Sequence, residues 1–86
     1  MNIDLIKRKN RLAMLKREQR DQQILCVGTF ALIKTNLSEY GADAFRRADL
    51  TSARENIEQL LCYKKDLEKK ESEIAELEES LGIDHE

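Results

Sequence analysis

Residues that interrupt helices are almost missing from this sequence, which has no proline and only three glycines. The chain can therefore continue helices over long distances. Apolar residues that recur at steps of three and four predict a first helix over about 3–34 and a last helix over about 52–81, joined by a short helical or irregular connection over about 35–50. We therefore predict an all-α protein with a single helical domain, 1–86, folded as a helical hairpin or as a dimeric coiled-coil-like bundle.

The last helix has the clearer sequence signals. Ser52 is followed three residues later by Glu55, the spacing of a capping box, and Gly82 is placed to end the helix. Between these ends an apolar residue recurs at every seventh position, at Leu60, Leu67, Ile74 and Leu81. The positions four residues after the first three are charged, so the pattern predicts a weak coiled coil. Such a helix would fold back on the first helix or pair with a second copy.

The first helix contains the most apolar segment of the chain, residues 24–33, ILCVGTFALI. Apolar side chains surround this helix segment, so we expect neighbours to cover it on more than one side. Gly28 lies in its middle at a cost of ~1 kcal/mol relative to alanine, which we interpret as a close approach by another helix. A chain of this size buries only about 60% of its unfolded surface when it folds alone. We therefore expect a homodimer.

No segment of the sequence predicts membrane insertion or secretion. The apolar run at 24–33 is about half of the ~20 residues that cross a bilayer. The N-terminus places Asp4 and a basic cluster before that run, with no small-residue cleavage site close after it, which is unlike a secretory signal. We therefore expect a cytoplasmic protein that does not enter membranes.

Charge is divided unevenly along the chain, although the net charge is only −2. Residues 1–50 hold ten Lys and Arg against six Asp and Glu, whereas residues 51–86 hold five against eleven. Most cations of the first half lie within 7–20, where Glu18 is the single acid. Cations at helical spacing suit contacts to DNA phosphates, which require little sequence information. The candidate nucleic-acid-binding residues are Lys7, Arg8, Lys9, Arg11, Lys16, Arg17 and Arg20.

The acidic last helix offers two alternatives to DNA binding. Its acids between 66 and 79 can neutralise the basic segment, either within the chain or between two copies. The same helix can instead dock on a basic protein surface or imitate nucleic acid, as an adaptor or inhibitor would. The sequence leaves these alternatives open. The absence of tryptophan and the few aromatics argue against base stacking, so sequence-specific reading of DNA is not indicated.

Candidate catalytic and metal-binding residues are lacking. The single histidine, His85, lies close to the end of the sequence, and neither cysteine belongs to a CxxC pair. Cys26 and Cys62 lie in apolar helical stretches, which favours buried, reduced thiols rather than zinc ligands. No serine or cysteine has a predicted base beside it. We therefore predict a protein without enzymatic activity, cofactor or metal.

Residues 15–34, LKREQRDQQILCVGTFALIK, resemble the core of the small accessory proteins of plasmid mobilisation and conjugal transfer, the TraD/MobC-like relaxosome group. In those proteins a basic helix runs into an apolar segment with a central glycine. The residues of this pattern here are Lys16, Arg17, Arg20, Ile24, Leu25 and Gly28. Gln22 and Gln23 depart from it, because such proteins tend to have arginine there. The resemblance implies a helper that binds DNA near a transfer origin and assists a nicking relaxase without doing chemistry itself.

Overall fold

The chain forms a helical hairpin in a computed structural model that describes residues 2–82. Helix α1 spans Ile3–Asn36, α2 spans Ala44–Arg47 and α3 spans Leu50–Leu81. The two long helices run antiparallel and pack against each other, and residues 2–82 contain no strand. The predicted all-α fold, with two long helices and a short connection between them, is confirmed.

Polar side chains fix where the long helices begin. The Asn2 side-chain oxygen accepts hydrogen bonds from two amides of the first turn of α1, at 3.1 and 3.3 Å. The Asp49 carboxylate accepts one from the Ser52 amide at 3.0 Å, and this makes Asp49 the N-cap of α3. The predicted capping box starting at Ser52 is wrong, because Asp49 provides an equally good cap three residues earlier. Gly82 ends α3 as predicted, in the left-handed conformation with φ +69°.

The best-buried apolar cluster lies at the open end of the hairpin, which comprises residues 3–20 of α1 and 66–81 of α3. Leu12 and Leu15 pack there against Ile74. Leu15 is only 1% exposed, and two partly buried leucines of the last turns of α3 pack against the cluster. Each well-buried leucine contributes about 1.5–3 kcal/mol to folding, so this cluster anchors the pairing of the two helices.

The seam of α3 against α1 is more regular than the sequence pattern indicated. The predicted heptad series of Leu60, Leu67, Ile74 and Leu81 is buried or half-buried. The series is completed three residues after its first three members, rather than four, by half-buried Tyr63, Lys70 and Leu77. Steps of three and four alternate along a coiled-coil seam. The prediction of a weak coiled coil depended on the fourth position alone, so it underestimated how many residues of α3 contact α1.

The seam of α1 becomes polar towards the loop end, which comprises residues 21–36 of α1 and 50–65 of α3. The Gln22 side chain donates a hydrogen bond to the Tyr63 carbonyl at 3.1 Å. Further along, the Asn56 amide donates to the Asn36 side-chain oxygen at 2.9 Å. Thr29 is buried between these two contacts. Ile33 is buried at the same end. The helices therefore pair at the loop end through hydrogen bonds, small side chains and one isoleucine, whereas leucines dominate the seam at the open end.

The most apolar segment of the chain leaves most of its large side chains exposed. Ile24, Val27 and Phe30 are 64%, 66% and 52% exposed, and Leu32 is 55% exposed. We expected cover on more than one side, but within the hairpin α3 covers only one. No atom lies within 4 Å of a Cβ built on Gly28, so the close approach expected at this glycine does not occur within the chain.

The hairpin is elongated, with dimensions of 66 × 22 × 14 Å. Its radius of gyration is 18.9 Å, compared with roughly 12 Å for a compact domain of this length. Neither α1 nor α3, as described within residues 2–82, combines the length and apolar character that a bilayer-crossing helix requires.

Candidate nucleic-acid interface

All seven candidate cations lie on the N-terminal half of α1. At a rise of about 1.5 Å per residue they extend over about 20 Å between Lys7 and Arg20. The helix continues without a break on both sides of this segment. The cations therefore share one rigid scaffold, and their positions around the helix decide which of them meet α3.

Three of the cations face α3 and are bonded to it. The Arg11 guanidinium lies 3.0 Å from a Glu73 carboxylate oxygen, and the Lys16 ammonium lies 3.3 Å from Glu78. Arg8 donates a hydrogen bond to the Ser80 hydroxyl at 3.0 Å. Arg11 directly precedes Leu12 in the sequence, and Lys16 directly follows Leu15. Because these leucines pack against α3, the two charged side chains also lie close to α3.

The other four cations are not bonded to α3. They are exposed, and none of them forms an ion pair or a hydrogen bond through its side chain with another residue in 2–82. These residues, which we call the outer cations, are Lys7, Lys9, Arg17 and Arg20.

The structure therefore divides the predicted site between the two alternatives of the sequence analysis. Arg11 and Lys16 form ion pairs within the chain, and Arg8 also bonds to α3. The outer cations retain the exposed geometry that phosphate contact needs. The sequence signal that could have separated the two groups is the angle from Leu12 and Leu15 around the helix. At about 100° per residue the three bonded cations lie within about 70° of the midpoint of these leucines, and the other four lie about 90° or more from it.

The acids of α3 lower the long-range field of the outer cations. Residues 7–20 hold seven cations and one acid, and the opposing residues 66–79 hold seven acids and two lysines. At distances beyond the Debye length, about 10 Å at 0.1 M salt, these charges are screened and largely cancel. An anion therefore has to contact the outer side of α1 to be attracted strongly.

Other reactive side chains are scattered. Within residues 2–82 no three His, Cys, Asp or Glu side chains come together as a group that could hold a metal ion. Both cysteines are free thiols; Cys26 is half-buried and Cys62 is exposed, so the prediction of a buried thiol is wrong at Cys62. His85 lies outside the described residues.

No family model matches this sequence, and comparisons with curated proteins and with solved structures find no match. The resemblance of residues 15–34 to mobilisation accessory proteins stays a prediction. The two positions that depart from it behave differently in the fold. Gln22 bonds to the backbone of α3 at Tyr63, whereas Gln23 is exposed beside Arg20. An arginine at position 22 would thus displace a contact between the helices.

Proposed function

We propose that this protein is a non-enzymatic, DNA-associated accessory protein whose outer cations bind the phosphates of a DNA duplex. The supporting observation is that Lys7, Lys9, Arg17 and Arg20 are exposed on one helix and unpaired within residues 2–82. Lys9 and Arg20 are about 16 Å apart along the helix axis, a span that reaches several phosphates.

The proposed interface is smaller than the seven-residue site predicted from the sequence. Arg8, Arg11 and Lys16 hold α1 against α3, so they position the outer cations and contribute little to DNA contact themselves. Contacts to phosphate carry little base information. The protein therefore binds duplexes of different sequence with similar affinity.

Salt dependence measures how many phosphates are contacted. Four contacts give a slope of log K against log salt of roughly −3.6. The test is fluorescence anisotropy with a labelled duplex, comparing wild type with the triple variant Lys9→Gln, Arg17→Gln, Arg20→Gln. We expect the variant to bind much more weakly, with a slope close to −1, because about one contact remains.

The matched control is the double variant Arg11→Gln, Lys16→Gln, which also removes positive charge from α1 but at positions bonded to α3. We expect its slope to stay near the wild-type value, provided that circular dichroism shows a folded hairpin. Equal weakening by the two variants would contradict a localised interface. Undiminished binding by the triple variant would rule out the outer cations as the DNA-binding residues.

We place this DNA binding in plasmid mobilisation, in the cytoplasm, because residues 15–34 resemble the accessory proteins of relaxosomes. The protein would then increase nicking by a relaxase at a transfer origin without cutting DNA itself. The measurement is relaxase nicking of a supercoiled plasmid with and without this protein. Stimulation by wild type that the triple variant has lost supports this placement. DNA binding without stimulation of nicking would contradict the role in mobilisation but not the proposed DNA interface.

A second candidate is an adaptor or inhibitor that binds a basic protein surface through α3. The observation in its favour is a group of exposed acids, without ion pairs among residues 2–82, beside the paired Glu73 and Glu78. These residues are Glu68, Glu71, Glu76 and Glu79. This candidate predicts binding of a lysine-rich peptide that is lost when all four are changed to Gln, and no binding of duplex DNA by wild type.

A further inference from the structure

The loop half of the hairpin carries an apolar surface that the fold leaves uncovered. We call it the Val27 face. On α1 it contains Ile24, Val27 and Phe30, all more than half exposed. On α3 it contains Leu60, Lys64 and Leu67, which line a groove together with Val27 and Phe30. Lys64 is the only charged member of this set.

The surface is a ridge between two hollows. Val27 lines both of them. One hollow, of about 300 Å³, is completed by Arg20, Gln23 and Ile24, and the other, of about 280 Å³, lies between the two helices and is completed by Cys26, Phe30, Leu60, Lys64 and Leu67. Each hollow is large enough to receive an apolar side chain. A ridge beside a hollow on one surface is the shape that a two-fold contact between identical chains requires, because each ridge then enters the hollow of the other copy.

The exposed area also matches what a dimer needs. The protein exposes 6906 Å² at a mass of 10.0 kDa, whereas a compact monomer of that mass exposes about 5,200 Å². The apolar side chains of the Val27 face expose on the order of 400 Å² per copy, so two copies bury on the order of 800 Å² of apolar area. The buried core of a homodimer interface is about 65% apolar, so with its polar rim the total is on the order of 1,200 Å², the lower limit of stable specific interfaces. A patch of this size is within the range of the largest apolar patches on monomers, which often have a binding role.

We infer that the Val27 face is the interface between two copies of this chain, joined as a bundle of four long helices. The second copy supplies the cover that the apolar segment of α1 lacks within one hairpin. The inference does not depend on DNA binding, since Lys7, Lys9 and Arg17 lie outside this face and only Arg20 borders it.

Analytical ultracentrifugation of wild type from low to high micromolar concentration tests the dimer. We expect twice the monomer mass of 10.0 kDa, and Val27→Lys should weaken association at least about thirtyfold, as loss of a central interface residue does. The matched control is Leu32→Lys, because Leu32 is similarly exposed but lies about 140° away around α1. We expect this variant to remain dimeric.

Two further measurements do not depend on whether the Val27 variant folds. The melting temperature of wild type should rise with protein concentration, because association stabilises the folded state by mass action. In Cys62→Ser protein the Cys26 thiol, which lines the groove, should react more slowly with a thiol reagent as concentration rises. In Cys26→Ser protein the exposed Cys62 thiol should react at a constant rate.

Three results would overturn the inference. The first is a wild type of monomer mass with a concentration-independent melting temperature. The second is a dimer that Leu32→Lys disrupts and Val27→Lys does not, which places the interface on the other flank of α1. The third is a monomer that binds phosphatidylcholine vesicles and loses this binding in Val27→Lys, which makes a lipid surface the occupant.

Discussion

At the open end of the hairpin Leu15 is almost fully buried, and Lys16, its neighbour in sequence, bonds to Glu78 on the other helix. At the loop end polar Gln22 and small Thr29 join Ile33 in the seam, while Val27 and Phe30 remain more than half exposed. The same two helices thus pair mainly through leucines where the chain is most charged, and through a mixture of polar, small and apolar contacts where it is most apolar. Local hydrophobicity did not decide where the hairpin core lies; the heptad position of each side chain did.

Truncation of Leu15 is the strongest way to break this contrast. Leu15→Ala should lower the free energy of unfolding by about 2–5 kcal/mol, because it leaves a cavity in the buried apolar cluster of the open end. Urea unfolding followed by circular dichroism measures the change. The control Leu32→Ala, at an exposed position of the loop end, should change it by less than about 0.5 kcal/mol. Similar losses for both variants would mean that the two ends are equally packed.

Gly28 tests how closely the loop end is packed. Gly28→Ala should raise the free energy of unfolding by about 1 kcal/mol, because alanine is the better helix former and the unfolded chain loses freedom. The added methyl group meets no atom within 4 Å in the hairpin. The measurement is the thermal midpoint at a fixed protein concentration. A decrease would show that another chain packs directly on Gly28.

The ion pairs of the two ends should differ slightly in their coupling free energy. A double-mutant cycle of Arg11→Gln and Glu73→Gln should give a coupling of about 0.2–1 kcal/mol that declines with added salt. The pair links two helices, but its side chains remain 48% and 40% exposed. The control is the more exposed pair Arg54–Glu58 within α3, expected at the lower end of that range. A stronger coupling for the control pair would contradict this order.

Acid should lower the free energy of unfolding because it protonates Asp49 at the loop end. The change should be small because the carboxylate is exposed. Hydrogen bonds from Ser52, first from its backbone amide, hold the pKa of Asp49 below the ordinary value of 3.8. A lowered pKa in the folded state stabilises the fold above pH 3.8, and this stabilisation is lost as pH falls through the folded value. Asp49→Asn keeps a capping oxygen that does not titrate. Unfolding between pH 5 and 2 should therefore depend less on pH in this variant.

Much of the fold was predictable from local signals. The scarcity of helix breakers predicted two long helices, and the periodic leucines of α3 predicted a seam, since both follow from backbone geometry and a repeat of three to four residues. The start of α3 was misplaced because Ser52 and Asp49 are both good caps. Local sequence does not rank two competing caps when packing decides how far the helix extends.

The candidate site was predictable as a segment but not residue by residue. A cluster of cations between Lys7 and Arg20 is visible in the sequence, whereas their division into paired and outer cations depends on the register between α1 and α3. That register brings Glu73 to Arg11 and Glu78 to Lys16 across more than sixty residues of chain. No local pattern encodes which acid meets which cation.

Helix type, helix length, the basic segment and the apolar segment can all be read from the sequence, because each depends on neighbouring residues. Which faces of the two long helices meet depends on how the helices pack in three dimensions. This packing placed Leu12 and Leu15 inside and left Ile24 and Val27 outside, although both pairs are apolar. An antiparallel partner covers only one stripe of a helix, and at the loop end the stripe that faces α3 consists of Gln22, Cys26, Thr29 and Ile33, to which Ile24 and Val27 do not belong.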